Sequence, residues 1–279
     1  MTSTIAVSNT PNRKANDLPI RLLGAALFVV PFIAFAWLGG WWFTGFILLA
    51  VGITTHELIG LLRRSKHAPS RVIMALAGLI AFAYVRMPGL PFLLTATALS
   101  LLGSLAWQLR NPIDRPLSDW ALAIAGGAYL GLTGGHLAAV REFPNGLWWL
   151  TLTCAATWIT DSGAYFVGRR FGRHKLSPRI SPGKSVEGYL GGLVTATVAG
   201  ALIGQFSPLG IVVGIAGGLL VGALSVLGDL IESLFKRQAN IKDSGTLIPG
   251  HGGVFDRIDS LLWAGVIIYH LYIVTTFLH

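Results

Sequence analysis

Apolar residues in this chain run in long blocks separated by short polar or Gly/Pro-containing stretches. Nine blocks are recognisable, at residues 21–38, 40–62, 71–86, 89–108, 118–139, 147–168, 186–205, 209–234 and 259–278. A helix needs roughly 20 residues to cross a hydrocarbon core, so most blocks are long enough to span. The third is short and is closed by Met87-Pro88. The pattern predicts an all-α polytopic membrane protein with about nine transmembrane helices.

Composition agrees: 53% of residues are hydrophobic, 12% are charged and the mean hydropathy is +0.65. Nine Trp and fourteen Phe suit interfacial belts and lipid-facing surface. The net charge of +9 would suggest nucleic acid in a soluble protein. Here the cations report orientation instead, and no nucleic-acid partner is expected. With the amino terminus in the cytosol, nineteen of the 21 Lys and Arg fall on the inner side, and only Arg86 and Arg141 fall outside. The positive-inside rule therefore supports an odd number of spans, a cytosolic N-terminus and a periplasmic C-terminus. Residues 1–20 resemble a signal-peptide n-region. No small-residue cleavage site follows, so they are expected to form a cytosolic tail. The single cysteine, Cys154, lies in an apolar run and reads as a small buried hydrophobe.

The outer connections are short. Two inner loops, 169–185 and 235–258, hold most of the polar chemistry. Residues 21–140 are expected to be scaffold helices and 141–279 the catalytic transmembrane region. Runs such as GGLVTATVAGALIG and GIAGGLLVGALSVLG place small residues where helices can approach closely in lipid.

Acids at the ends of spans need an explanation, and Glu57, Asp161, Asp229 and Glu232 stand out. The eighth span ends in GDLIESLFKR and the ninth begins near HGGVFDRIDS, both on the inner side. Two such helix ends can bring Asp229 and Asp256 together. Carboxylates beside many cations suggest a hard metal ion meeting a polyphosphate; magnesium is commonly held by one or two carboxylates plus phosphates and water. The plainer alternatives are an Asp229 paired with a cation for packing, and Asp256 and Asp259 complementing a helix dipole. Gly252 and Gly253 permit close backbone approach to phosphate. His251 either contacts phosphate or orders the loop. In the other loop, SPGKS resembles the tail of a P-loop, but Pro178 stands where a glycine is required and no strand is expected before it. Lys184 can still meet a phosphate, with Ser185 capping the seventh span and Glu187 in its first turn.

The spacing Ser233-x-x-Lys236-Arg237-x4-Lys242-Asp243-x-Gly245-x3-Pro249-x-His251-Gly252-Gly253-x-x-Asp256-Arg257-x-Asp259 resembles the signature of the phosphatidate cytidylyltransferases, also called CDP-diacylglycerol synthases. Asp161, Gly163, Gly168-Arg169, Ser181-Pro182, Lys184 and Glu187-Gly188 resemble a second block of that family. The resemblance covers about residues 145–279. It implies transfer of a cytidylyl group from CTP to phosphatidate, with Mg2+ and a second cation such as K+. It also implies a homodimer in the lipid bilayer of a bacterial inner membrane, with the site facing the cytosol. On this reading Asp229 and Asp256 hold metal, with Asp161 and Asp259 as further candidates. Lys236, Arg237, Lys242 and Arg257 offset phosphate charge. Ser181, Lys184, Ser185, Ser233, Gly252 and Gly253 contact substrate, and His251 joins the catalytic set. Three rivals stay open: an ion-coupled transporter, a lipid-binding scaffold, and the same chemistry on another lipid phosphate. A transporter would favour broken mid-membrane helices, and none is evident in the sequence.

Overall fold

A computed structural model of the chain describes residues 17–110, 115–245, 247–248 and 252–277. These form ten helices and one hairpin. The helices of the first half are α1 (Asp17–Leu38), α2 (Gly40–Arg64), α3 (Arg71–Arg86), α4 (Leu93–Arg110) and α5 (Pro116–Val140). Next come α6 (Gly146–Phe171), the strands β1 (Lys175–Ser177) and β2 (Ser181–Ser185), and α7 (Val186–Gln205). The chain continues through α8 (Ile211–Leu224), α9 (Val226–Gln238) and α10 (Phe255–Phe277). By length and composition, α2, α5, α7, the α8–α9 run and α10 can each cross a membrane. Large apolar side chains, among them Trp37, Trp42, Leu94, Phe206 and Val212, stay exposed, a surface suited to lipid. The chain is a helical multi-pass membrane protein.

Glycine sets how closely the helices pack. A Cβ on Gly127 or Gly131 of α5 would collide with the Met74 or Gly78 carbonyl of α3, and Gly200 of α7 and Gly214 of α8 each face the other's carbonyl. Phe255, Leu262 and Ile268 of α10 are fully buried together with Leu130 and Leu137 of α5 and Leu58 of α2. The last helix is therefore the central one, and it joins the two halves of the chain. Arg86 pairs with Glu142 (3.2 Å) and lies over the Trp41 ring, while Arg141 donates Nε to the Ala36 carbonyl. Both arginines expected on the outer side are tied into helix junctions.

Three features depart from the expected pattern. The eighth span is not continuous. It breaks at Ser225, which is 1% exposed and flanked by Gly222 and Gly228, and small residues of this kind permit a kink. Gly228 then packs directly on the Asp259 carbonyl of α10, and Tyr189 donates its hydroxyl to the Ala223 carbonyl (3.1 Å) just before the break. Ser225 itself keeps helical φ −62° and ψ −26°, so the interruption is a single residue within a run, Ile211–Gln238, that is long and apolar enough to cross a membrane as one helix. Second, the loop after α6 contains an antiparallel hairpin pairing Lys175 with Ser185 and Ser177 with Ser181. SPGKS is its second strand, so a strand does precede this segment's helix, although in a hairpin rather than a P-loop. Third, α10 starts at Phe255, four residues before the predicted span, and includes Asp256 in its first turn.

Candidate functional site

The hairpin is fastened at its base. Ser185 caps α7 by accepting from the Gly188 N–H (3.1 Å), and the Glu187 carboxylate accepts from the Arg173 N–H (3.0 Å) and lies 2.6 Å from His174 Nδ1. Arg237 of α9 donates Nε to the Ile180 carbonyl in the hairpin turn (3.1 Å). Between the hairpin, α6, α7 and α9 lies an open cavity of about 400 Å³, walled by Asp161, Tyr165, Arg169, Lys184, Ser185, Tyr189 and Asp229. Lys184 Nζ sits 2.7 Å from Asp229 Oδ2, and Ser233 donates its hydroxyl to Asp229 Oδ1 (3.1 Å). Both members of the ion pair keep substantial solvent contact.

A second cavity of about 230 Å³ lies on the other side of Asp161, between α1, α6 and α10. Asp161, Asp256, Arg257, Asp259 and Ser260 supply its polar wall, and Phe28, Trp158 and Ile248 its apolar one. Asp161 interacts electrostatically with Lys184, Asp229 and Arg257, and Asp259 with Asp229, Asp161 and Lys184. Phe28 and Ile248 also line an apolar groove of about 380 Å³ between α1, α2 and the loop before α10, with Phe46, Ile53 and Leu247. The polar cavity and this apolar groove therefore lie back to back, with Phe28 and Ile248 in the wall of each.

The loop from α9 to α10 is built around Asp256. Its Oδ2 accepts from the Ser244 N–H (2.9 Å), the Ser244 hydroxyl (2.8 Å) and the Gly253 N–H (2.8 Å). Its Oδ1 lies 2.7 Å from Lys236 Nζ, which also reaches Glu232 Oε2 at 2.6 Å. Gly252 adopts φ +81°, where a Cβ would be strained and would stand 2.7 Å from Asp256 Oδ2. This explains the glycine at that position.

The predicted site residues thus separate into groups. Lys184, Ser185, Asp229 and Ser233 gather at the first cavity and Asp256, Arg257 and Asp259 at the second, with Asp161 in both walls. Asp229 and Asp256 take different partners and face different cavities. Lys236 is turned inward between two carboxylates, and Arg237 ties down the hairpin that carries Ser181. Lys242 is exposed in the loop between α9 and α10. His251 lies outside the described residues. Among the described residues no three His, Cys, Asp or Glu side chains converge as a metal cage. Sequence reading assigned no site role to Glu57, whose buried carboxylate accepts from the Val254 and Phe255 N–H groups (3.0 and 2.8 Å). The one signal was an acid isolated at the inner end of an apolar span.

Long apolar helices, acids and a lysine around open cavities, and an apolar groove beside one of them describe a membrane protein with polar cavities bordering an apolar surface. Its sequence places it further: the chain belongs to the cytidylyltransferase family, whose profile matches residues 19–275. It is 33% identical to the phosphatidate cytidylyltransferase of Synechocystis over 90% of this chain and 94% of that protein. Identity to the enzyme of the same name from Brucella suis is 34% over 91% and 93%. With that of Haemophilus influenzae it is 52% over 123 residues, 42% of this chain and 43% of the relative's length.

Proposed function

We propose that this protein transfers the cytidylyl group of CTP to phosphatidate, giving CDP-diacylglycerol and pyrophosphate. The observation that carries this reading is the family match, which spans nearly the whole chain. The geometry suits it. A phosphate oxygen of the lipid attacks the α-phosphorus of CTP, and the bond from that phosphorus to the bridging oxygen breaks as pyrophosphate leaves. The attacking oxygen is already anionic, so no Ser or Cys nucleophile is required. The protein has to position two polyanions and offset their charge.

The first cavity suits the nucleotide. Lys184 is aimed at it, and Tyr165, Tyr189 and Arg169 flank it. The second suits the lipid phosphate, with Arg257 in its wall and the apolar groove taking acyl chain. Asp161 stands where the two reactants meet. The donor set also fits Mg2+, because the acids at both cavities offer hard carboxylate oxygens, and such an ion completes its shell with phosphate and water. Asp229, Asp161 and Asp259, whose charges act on one another, are the residues that would hold it, with a second cation such as K+ nearby; Asp256, expected to join them, is already held by Lys236, Ser244 and Gly253. Bound magnesium supplies charge neutralisation at the phosphates and the leaving group.

The same proposal places the protein in a bacterial inner membrane with the site facing the cytosol. It has nine crossings, a cytosolic N-terminus and a periplasmic C-terminus, supported by the distribution of Lys and Arg. Residues 1–20 are the cytosolic tail, 21–140 the scaffold half and 141–279 the catalytic half, and the working unit is a homodimer. A transporter is the rival reading, and the interruption at Ser225, a single residue in helical conformation, is the one feature it can point to. Pyrophosphate release from CTP by the purified protein separates the two. Release that needs both phosphatidate and magnesium is the expected result. No release by folded protein with several lipid phosphates would favour transport, to be followed by flux measurements in liposomes.

A further inference from the structure

Glu57 belongs to α2, in the expected scaffold half, yet among the described residues its side chain hydrogen-bonds to the loop before α10 and to that helix's start. It is 8% exposed. Buried carboxylates need donors to offset lost hydration. Its Oε1 accepts from the Val254 N–H at 3.0 Å and its Oε2 from the Phe255 N–H at 2.8 Å. Both donors lie at the α10 N-terminus, where amides lack intrahelical partners and a negative charge is favoured. The Ser244 hydroxyl lies 3.3 Å from Glu57 Oε2 and 2.8 Å from Asp256 Oδ2, so one side chain touches both carboxylates.

Two glycines give an independent indication. A Cβ on Gly253 would stand 2.6 Å from both Glu57 oxygens, and one on Gly245 would stand 2.7 Å from Oε1. Two positions of the loop therefore lack side chains where Glu57 enters. Its carboxylate is the peg that Ser244, Gly245, Gly253, Val254 and Phe255 surround, and the next turn carries Asp256, Arg257 and Asp259 into the second cavity.

We infer that Glu57 is a positioning residue for the reaction. It fixes the start of α10, and through Ser244 and the Gly253 turn it fixes the direction of Asp256. The effect on catalysis rests on the proposed cytidylyl transfer; the clamp itself does not. Glutamine at this position keeps the shape but turns an NH2 toward one of two backbone N–H groups, so one acceptor is lost.

The test uses full-length Glu57→Gln, with two readouts at a temperature where the fold is intact. Trypsin cleavage after the exposed Lys242, followed by fragment mass, reports loop order without reference to activity. The magnesium concentration for half-maximal pyrophosphate release and the KM for CTP report the site. Expected are cleavage about tenfold faster and a half-maximal magnesium concentration about tenfold higher, the scale of losing a charge-assisted hydrogen bond. The KM for CTP should stay within about twofold, since Glu57 does not border the first cavity. Wild-type cleavage overturns the inference, as does faster cleavage with an unchanged magnesium requirement. If Glu57→Gln does not fold, Gly253→Ala and Ser244→Ala decide by the same readouts, because each disturbs the clamp from the loop side. Wild-type protein that releases no pyrophosphate would sink the reaction while leaving the cleavage result to judge the clamp.

Discussion

Lys184 and Lys236 are two lysines of one motif-bearing region with opposite circumstances. Lys184 pairs with Asp229 at a cavity wall, the side chains being 24% and 34% exposed. An ion pair this open contributes about 0–1 kcal/mol to stability. Lys184→Ala should leave the unfolding midpoint nearly unchanged and lower kcat/KM for CTP at least about tenfold, as loss of a charge-assisted phosphate contact would. Initial rates across a CTP series, beside a thermal melt in the same detergent, check both. Lys236 lies between Glu232 and Asp256, with Glu232 almost wholly enclosed and its Oε1 without a hydrogen-bond partner. Removing that ammonium leaves the enclosed Glu232 without its partner and Asp256 with only its Ser244 and Gly253 donors, at a cost of about 3–5 kcal/mol. Lys236→Ala should therefore appear first as a lowered melting midpoint. Both lysines were legible as members of a phosphate-handling set. Which one faces a cavity was not, because that depends on Glu232 and Asp256 arriving from two different helices.

Among the elements, the close packing of α7 on α8 depends on hydrogen atoms where side chains would be. Gly214→Val should destabilise the protein by about 1–3 kcal/mol or more through overpacking. Gly52→Ala on α2, where a Cβ meets nothing within 4 Å, should be neutral or stabilise slightly through helix propensity. Parallel thermal melts of the two variants give the comparison. The helices were readable because hydrocarbon demands long apolar runs, and the small-residue runs of α7 and α8 did mark a close contact. The hairpin was not readable: strands of three and five residues give no usable alternation, and Glu187 and Arg237 hold them from outside the hairpin. Nor was the break at Ser225, which lies inside a run of unbroken hydropathy. The early start of α10 came from Glu57, nearly 200 positions away in sequence.

Across the whole molecule, charge distribution suggested one active end before any contact was known, and the cavities do lie where α6, α9, α10 and the hairpin meet. The division into scaffold and catalytic halves is crossed by Glu57 and by the burial of α10 against α5, so a catalytic half expressed alone would lack part of its own loop. The placement of Asp161 reaches into kinetics. With Asp161 in the walls of two cavities, one beside the hairpin and one beside an apolar groove, the proposed reactants have separate places, so either can arrive while the other is bound. Initial-rate lines at several fixed CTP concentrations should intersect rather than run parallel. Without phosphatidate no burst of pyrophosphate should appear, because the proposed direct attack by the lipid phosphate needs both reactants bound together.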